Sequence, residues 1–118
     1  MVARVSLTRG GVYLARLDPV KGAEVGKLRP VVMLTDDSLL RIEPAHVFIC
    51  PLSSRSDPAY APLHLELPPR DGLRVGSYAL VEHCRAISTR RLQADRLAQL
   101  KPDEVDEIAR RLQRMIGM

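Results

Sequence analysis

The sequence predicts a mainly β fold, a curled or barrel-like antiparallel sheet of five or six short strands closed off by one C-terminal helix. Three observations carry this expectation. Short apolar runs recur along the chain, each bounded by proline, glycine or polar turn residues. The strand–helix alternation that would build a parallel sheet is absent. One convincing helical period occurs, and it lies after Pro102. The chain has 118 residues, 46% of them hydrophobic, with a single phenylalanine and no tryptophan. That length suits one domain over 1–118, with a real but shallow core. No internal repeat, linker or low-complexity stretch interrupts it.

The elements follow in order. After Gly10-Gly11, residues 12–17 read as a strand ended by Asp18-Pro19. Val12, Leu14 and Arg16 share one face, and Tyr13, Ala15 and Leu17 the other. Residues 20–28 form a loop in which Gly22 and Gly26 flank Ala23, Glu24 and Val25, with Lys21 and Lys27 just outside. Arg29-Pro30 leads into the buried run of residues 31–34. Pro30 biases Arg29 toward an extended backbone, and belongs at a strand's start. A polar connection, residues 35–44, precedes a strand over 45–52 and a turn-rich loop from Ser53 to Pro58.

Residues 63–67 alternate, with Leu63, Leu65 and Leu67 inward and His64 and Glu66 outward. Residues 77–88 hold one long strand or two short ones around Glu82-His83. In a regular strand those two residues face opposite ways, while His83 and Arg85 share a face. Residues 90–100 leave room for a short helical turn. In the final helix Pro102 fits the first turn, with Asp103 and Glu104 where the helix dipole favours acids. Val105, Ile108, Ala109, Leu112 and Ile116 form its apolar face. Asp106–Arg110 and Glu107–Arg111 are expected as i,i+4 pairs, and Gly117 as the stop.

Composition narrows the function. The formal charge is +4, and fifteen of the 18 basic residues are arginine. Arginine suits planar, bidentate phosphate contacts, so a polyanionic partner is compatible with this balance. No apolar run is long enough to cross a bilayer or serve as a secretory signal. Cys50 and Cys84 form no CxxC motif and no disulfide framework, so a cytoplasmic, reducing setting is the default expectation. His46, His64 and His83 have no metal-ligand spacing, and no metal or other cofactor is expected. Gly22 and Gly26 are not a P-loop, because no Gly-Lys-Ser/Thr follows.

Three polar groups are candidate sites. Arg29 joins a glycine-containing loop to a buried strand, where rigid placement is available. Read locally, it serves equally well as a site residue or as a rim salt bridge, for instance to Glu24. Ser53 and Ser54 leave the strand after Pro51-Leu52 without a nucleophile-elbow motif. Glu82, His83 and Arg85 form the third group, and a histidine beside an arginine can move protons near neutral pH.

Taken together, these stretches resemble the MazF/PemK family of toxin endoribonucleases of type II toxin–antitoxin systems. The resemblance rests on Arg9-Gly10-Gly11-Val12-Tyr13, on Leu17-Asp18-Pro19, and on the stretch from Gly22 through Glu24, Gly26, Arg29 and Pro30 to Val32. Cys50-Pro51-Leu52-Ser53-Ser54, the run from Glu82 to Ile87, Arg91-Leu92 and the final helix follow in the family's order. It spans residues 8–116.

The resemblance implies an SH3-like, plasmid-maintenance-toxin barrel of five to seven strands and a homodimer. It implies metal-independent cleavage of single-stranded RNA at short sequences, and neutralisation by a cognate antitoxin. The family's catalytic arginine falls on Arg29 and its catalytic threonine on Ser53, with Ser54 beside it. Lys21, Glu24, Lys27, Ser54 and Arg85 are expected to bind substrate. His83, where the family often has glutamine, is a candidate base on its own chemistry. Gly11 replaces a family aspartate expected to hold the loop or a neighbouring strand. The competing expectation is a barrel of the same fold that binds nucleic acid or protein with impaired catalysis.

Overall fold

The computed structural model describes residues 6–17 and 27–118. Lys21 and Glu24 lie outside the described residues. Among the described residues, seven strands and two α-helices follow one another: β1 (Gly11–Arg16), β2 (Leu28–Met33), α1 (Asp37–Leu40), β3 (His46–Ser53), β4 (His64–Leu67), β5 (Ser77–Leu80), β6 (Arg85–Ser88), β7 (Leu92–Gln99) and α2 (Pro102–Met115). All pairings are antiparallel, in the order β4-β5-β3-β2-β1-β7. β3 is the branch point. Its first half pairs with β6 and its last two residues with β5, while β2 runs along its other edge.

The expected barrel is not formed. Closure requires the two ends of the strand order to hydrogen-bond, which leaves no edge. Here β4 and β7 are the ends, and they do not pair. The turn after β4 reaches β7, where Gly72 N–H donates to the Leu97 carbonyl at 2.7 Å. A Cβ on Gly72 would stand 2.8 Å from that same oxygen, so the approach depends on glycine. α2 covers the core there instead, burying Val105 and Ile108 with Leu112 packed against the same cluster.

Alternation along the strands divides the apolar residues between two faces. One face carries Val12, Val32, Cys50, Leu52, Ala79 and Ala98 under α2. The other carries Tyr13, Ala15, Leu17, Val31, Met33, Val47, Ile49 and Ile87, with Leu40 of α1. Each fully buried side chain of this size stabilises the fold by about 1.5–3 kcal/mol. The faces expected for β1 are those observed. Pro30 is the third residue of β2 rather than its start. It is accommodated because the ladder to β3 begins only at Val31.

Other expectations change in detail. Residues 77–88 make two strands, separated by a 3-10 turn over Val81–His83. The polar connection contains α1, started by the Asp36 side chain accepting from Ser38 N–H. Residues 92–99 form a full strand, held against β1. On α2 the Glu107–Arg111 pair forms at 2.6 Å, but Arg110 also turns to Glu107, at 3.0 Å. Asp106 faces Arg9 instead, at 3.9 Å. Gly117 adopts a left-handed φ of 82° at the helix end.

Gly11 has a local reason. A Cβ there would come within 2.8 Å of the Tyr13 ring and hydroxyl. That hydroxyl accepts the Thr8 N–H at 3.1 Å, and Asp37 Oδ1 accepts the Arg9 N–H at 2.8 Å. The opening turn is therefore held from Tyr13 and from α1, without an acid at position 11. Among the described residues, no helix is long and apolar enough to cross a membrane.

Candidate active site

The end of β3 organises the polar residues. Val31 of β2 stands opposite Pro51 of β3, and Val32 opposite Cys50. The ladder ends at the Val31–Pro51 pair, with Arg29 two residues before it on β2 and Ser53 two residues after it on β3. Arg29 is paired on its other side with Ala15, so it shares the face of Ala15, Val31 and Ile49 and emerges at the rim of that core. Both Arg29 and Ser53 are half-buried. Ser53 also pairs with Tyr78 of β5, and its Oγ accepts the Arg55 N–H at 3.1 Å. The strand above thus fixes the Ser53 backbone, and the loop below fixes its hydroxyl. Ser54 is exposed.

Lys27 stands just before β2 with a left-handed φ of 64°, an uncommon conformation for a residue with a side chain. Its carbonyl accepts the Leu17 N–H at 2.8 Å, closing the base of the loop between β1 and β2.

A cavity of about 670 Å³ opens beside this rim. Pro51, Arg55, Ser56, Tyr60 and His64 line it from β3, the following loop and β4. Glu82, His83, Cys84 and Arg85 line it from the turn and the start of β6. His83 and Arg85 both line this cavity, although the regular strand on which they were expected to share a face is broken by the 3-10 turn. Arg29 and Ser53 are not in the wall. Ser53 follows Pro51, a residue of the wall, by two positions on β3, and Arg29 lies on the neighbouring strand β2. Glu82 and His83 do not point to opposite faces, because the 3-10 turn replaces the regular strand. Both reach the cavity, and His83 Nε2 lies 4.0 Å from Glu82 Oε2.

Sequence reasoning missed Ser56 and His64 as members of this cluster. His64 was expected to face solvent, yet its side chain is only 3% exposed. The leucines beside it do face the α2 core. The other face of β4 is roofed by the 3-10 segment Pro58–Leu63, whose Tyr60 ring stacks on the imidazole with centroids 6.3 Å apart. His64 Nε2 meets Glu82 at 2.7 Å and Nδ1 meets Ser56 Oγ at 2.8 Å. A period-two pattern cannot report a roof, and Glu82 is too distant in sequence for local spacing to reveal it.

Cys50 and Cys84 are both free thiols. Burial, followed by a hydrogen bond with Cys84, pushes the Cys50 thiol well above its usual range. Among the described residues, no group of three or more His, Cys, Asp or Glu side chains is arranged to hold a metal ion.

The fold defines a class of small β proteins, an open antiparallel sheet completed by a C-terminal helix. The structure is similar to MazF (Form-I) from Deinococcus radiodurans, with a TM-score of 0.82 and 25% identity, covering 98% of this chain and 100% of that one. It is similar to the MazE–MazF (Form-III) structure from the same organism, at TM-score 0.74 and 26% identity over 96% and 98% of the two chains. In fold alone it is also similar to the Mycobacterium tuberculosis toxin MazF-mt6, at TM-score 0.74 and 18% identity over 92% and 97%. The model of the PemK-like, MazF-like toxins of type II toxin–antitoxin systems matches residues 8–116, and the chain belongs to that family.

Proposed function

We propose that this chain is a toxin endoribonuclease that cleaves single-stranded RNA at short specific sequences without a metal ion. It acts in the cytoplasm, as a homodimer of a single-domain chain, and a cognate antitoxin restrains it. Family membership supports the toxin role. The MazE–MazF pairing in the Deinococcus structure supports the antitoxin. The observation that supports the chemistry is that Arg29 and Ser53 lie two residues beyond the Val31–Pro51 pair on adjacent strands, and that Pro51 lines a cavity with Arg55, His83 and Arg85.

RNA carries its own nucleophile, so the protein need only align, neutralise charge and move protons. The 2′-OH attacks the adjacent phosphorus and the 5′-oxygen of the next nucleotide leaves. The products are a 2′,3′-cyclic phosphate and a 5′-OH end. Arg29 stabilises the charge that develops on the phosphoryl oxygens. Ser53 hydrogen-bonds the phosphate or orients the 2′-OH, and His83 takes the 2′-OH proton. Lys21, Glu24, Lys27, Ser54 and Arg85 bind the strand around the cut.

The test is incubation of the purified protein with a defined mixed-sequence RNA in EDTA. Cleavage is expected to survive chelation and leave cyclic-phosphate ends. Arg29→Ala is expected to lower kcat by about 10²–10³-fold or more with an unchanged fold. Intact RNA with normal RNA binding by the wild type would contradict the proposal and favour a binding-only protein of the same fold.

A further inference from the structure

Four polar side chains run in sequence along the cavity wall. Ser56 Oγ is 2.8 Å from His64 Nδ1, His64 Nε2 is 2.7 Å from Glu82 Oε2, and that oxygen is 4.0 Å from His83 Nε2. From His64 outward exposure rises, with side-chain values of 3% at His64, 14% at Glu82 and 23% at His83. Ser56, on the other side of His64, is half-buried.

The chemistry of each contact has a direction. A carboxylate offers only acceptors, so Nε2 of His64 carries the proton it shares with Glu82. Nδ1 then meets the Ser56 hydroxyl, which can donate or accept, so both ring nitrogens are satisfied in either charge state. His64 cannot rotate without losing both partners and its stack on Tyr60. Its carbonyl is held as well, by Arg111 Nη1 from α2. Glu82 is therefore held at a fixed place and angle, with its charge beside His83. A buried polar pair is by itself weak evidence of a gain in stability, so its placement at a cavity calls for another reason.

We propose that Glu82 stabilises the imidazolium that forms when His83 takes the 2′-OH proton, and that His64 and Ser56 position Glu82 for this task. The inference rests on the endoribonuclease reading above. In the step, the 2′-O–H bond breaks and its proton moves to His83, while the O2′–P bond forms and the P–O5′ bond breaks. Water supplies a proton to the departing 5′-oxygen, and His83 returns its proton to solvent afterwards. No atom is oxidised or reduced. Glu82 acts through His83 by its charge, across the 4.0 Å that separates them.

The experiment is a double-mutant cycle on the full chain, cleaving a defined RNA in EDTA under single-turnover and steady-state conditions. The proteins are wild type, Glu82→Gln, His83→Ala and the double variant, with Ser56→Ala and His64→Phe beside them. Glu82→Gln is expected to lower kcat by about 10–10²-fold, within the range a general base supplies, with KM changed less than about twofold. The double variant should be no slower than His83→Ala alone. Ser56→Ala should lower kcat a few-fold without weakening binding to a 2′-deoxy analogue of the substrate. His64→Phe keeps the stack on Tyr60 and should fall to the level of Glu82→Gln, with circular dichroism confirming that it is folded.

Losses that multiply in the double variant would show that Glu82 acts without His83 and would overturn the inference. So would a Glu82→Gln protein that cleaves at the wild-type rate. Either result, with an active wild type, leaves the endoribonuclease reading standing. An inactive wild type would overturn both.

Discussion

Two glutamates in this molecule are tied to partners on the same stretch of chain, and they are used in opposite ways. Glu104, in the first turn of α2, takes both Nη atoms of Arg70 and also accepts the Lys101 N–H at 2.9 Å. Arg70 in turn reaches back to the Pro68 carbonyl at 3.3 Å. Both carboxylate oxygens are used within the fold, and the result fastens the helix start to the turn after β4. Glu82 is fastened by His64 from β4 itself, yet it belongs to the wall of the 670 Å³ cavity with His83 beside it. A glutamate is held through both of its oxygens at each place, by two nitrogens of Arg70 in one and by the single Nε2 of His64 in the other. What differs is whether the pair closes a seam or borders a space that substrate could enter.

That contrast can be tested from the structural side. The largest expected effect is on the helix itself. Ile108 is fully buried at the centre of its contact with the sheet, and Ile108→Ala should cost about 2–5 kcal/mol in denaturant unfolding. Loss of that order would show that α2, rather than strand closure, completes the core. A change below about 1 kcal/mol would contradict the open-sheet account.

The seam itself is a smaller term. Arg70→Ala should destabilise by about 1–2 kcal/mol, because a bidentate, partly buried pair is broken and Glu104 keeps only its helix-cap contact. RNA cleavage by the folded protein should not change. Cleavage that fell in step with Glu82→Gln would erase the distinction between the two glutamates.

The pH dependence follows from the same pair. The hydrogen bond from Arg70 holds the Glu104 carboxyl below the ordinary glutamate value of 4.5. Its stabilisation is therefore present above the unfolded value and lost as pH falls through the folded one. Unfolding stability of the wild type should drop as pH falls below about 4.5, and Arg70→Ala should flatten that drop. Equal slopes in the two proteins would remove Glu104 from the acid limb.

Much of this was legible in the sequence where one side chain met one apolar surface. The α2 face of Val105, Ile108 and Leu112 and the two faces of β1 follow directly from period. The order of motifs was enough to place Arg29 and Ser53 in a family. β7 was not legible, because Gln93, Ala94, Asp95 and Arg96 are all exposed and the strand is held by backbone pairing to β1. Barrel closure was overdrawn because strand count says nothing of whether the last edge meets the first. His64 was misplaced because alternation reports the face a residue occupies, not the 3-10 segment that folds over it. The Glu82–His83 step depended on a turn that breaks the strand, and an apolar pattern carries no signal for it.

Throughout, the chemistry depends on RNA supplying the nucleophile. The most direct test replaces the single ribose at the mapped cut site with 2′-deoxyribose in an otherwise unchanged RNA, and measures binding and cleavage by the wild type. The proposed mechanism predicts affinity within about threefold of the parent RNA and no cleavage at that position. Cleavage of the 2′-deoxy substrate at the same bond would require water as the nucleophile and would contradict the account.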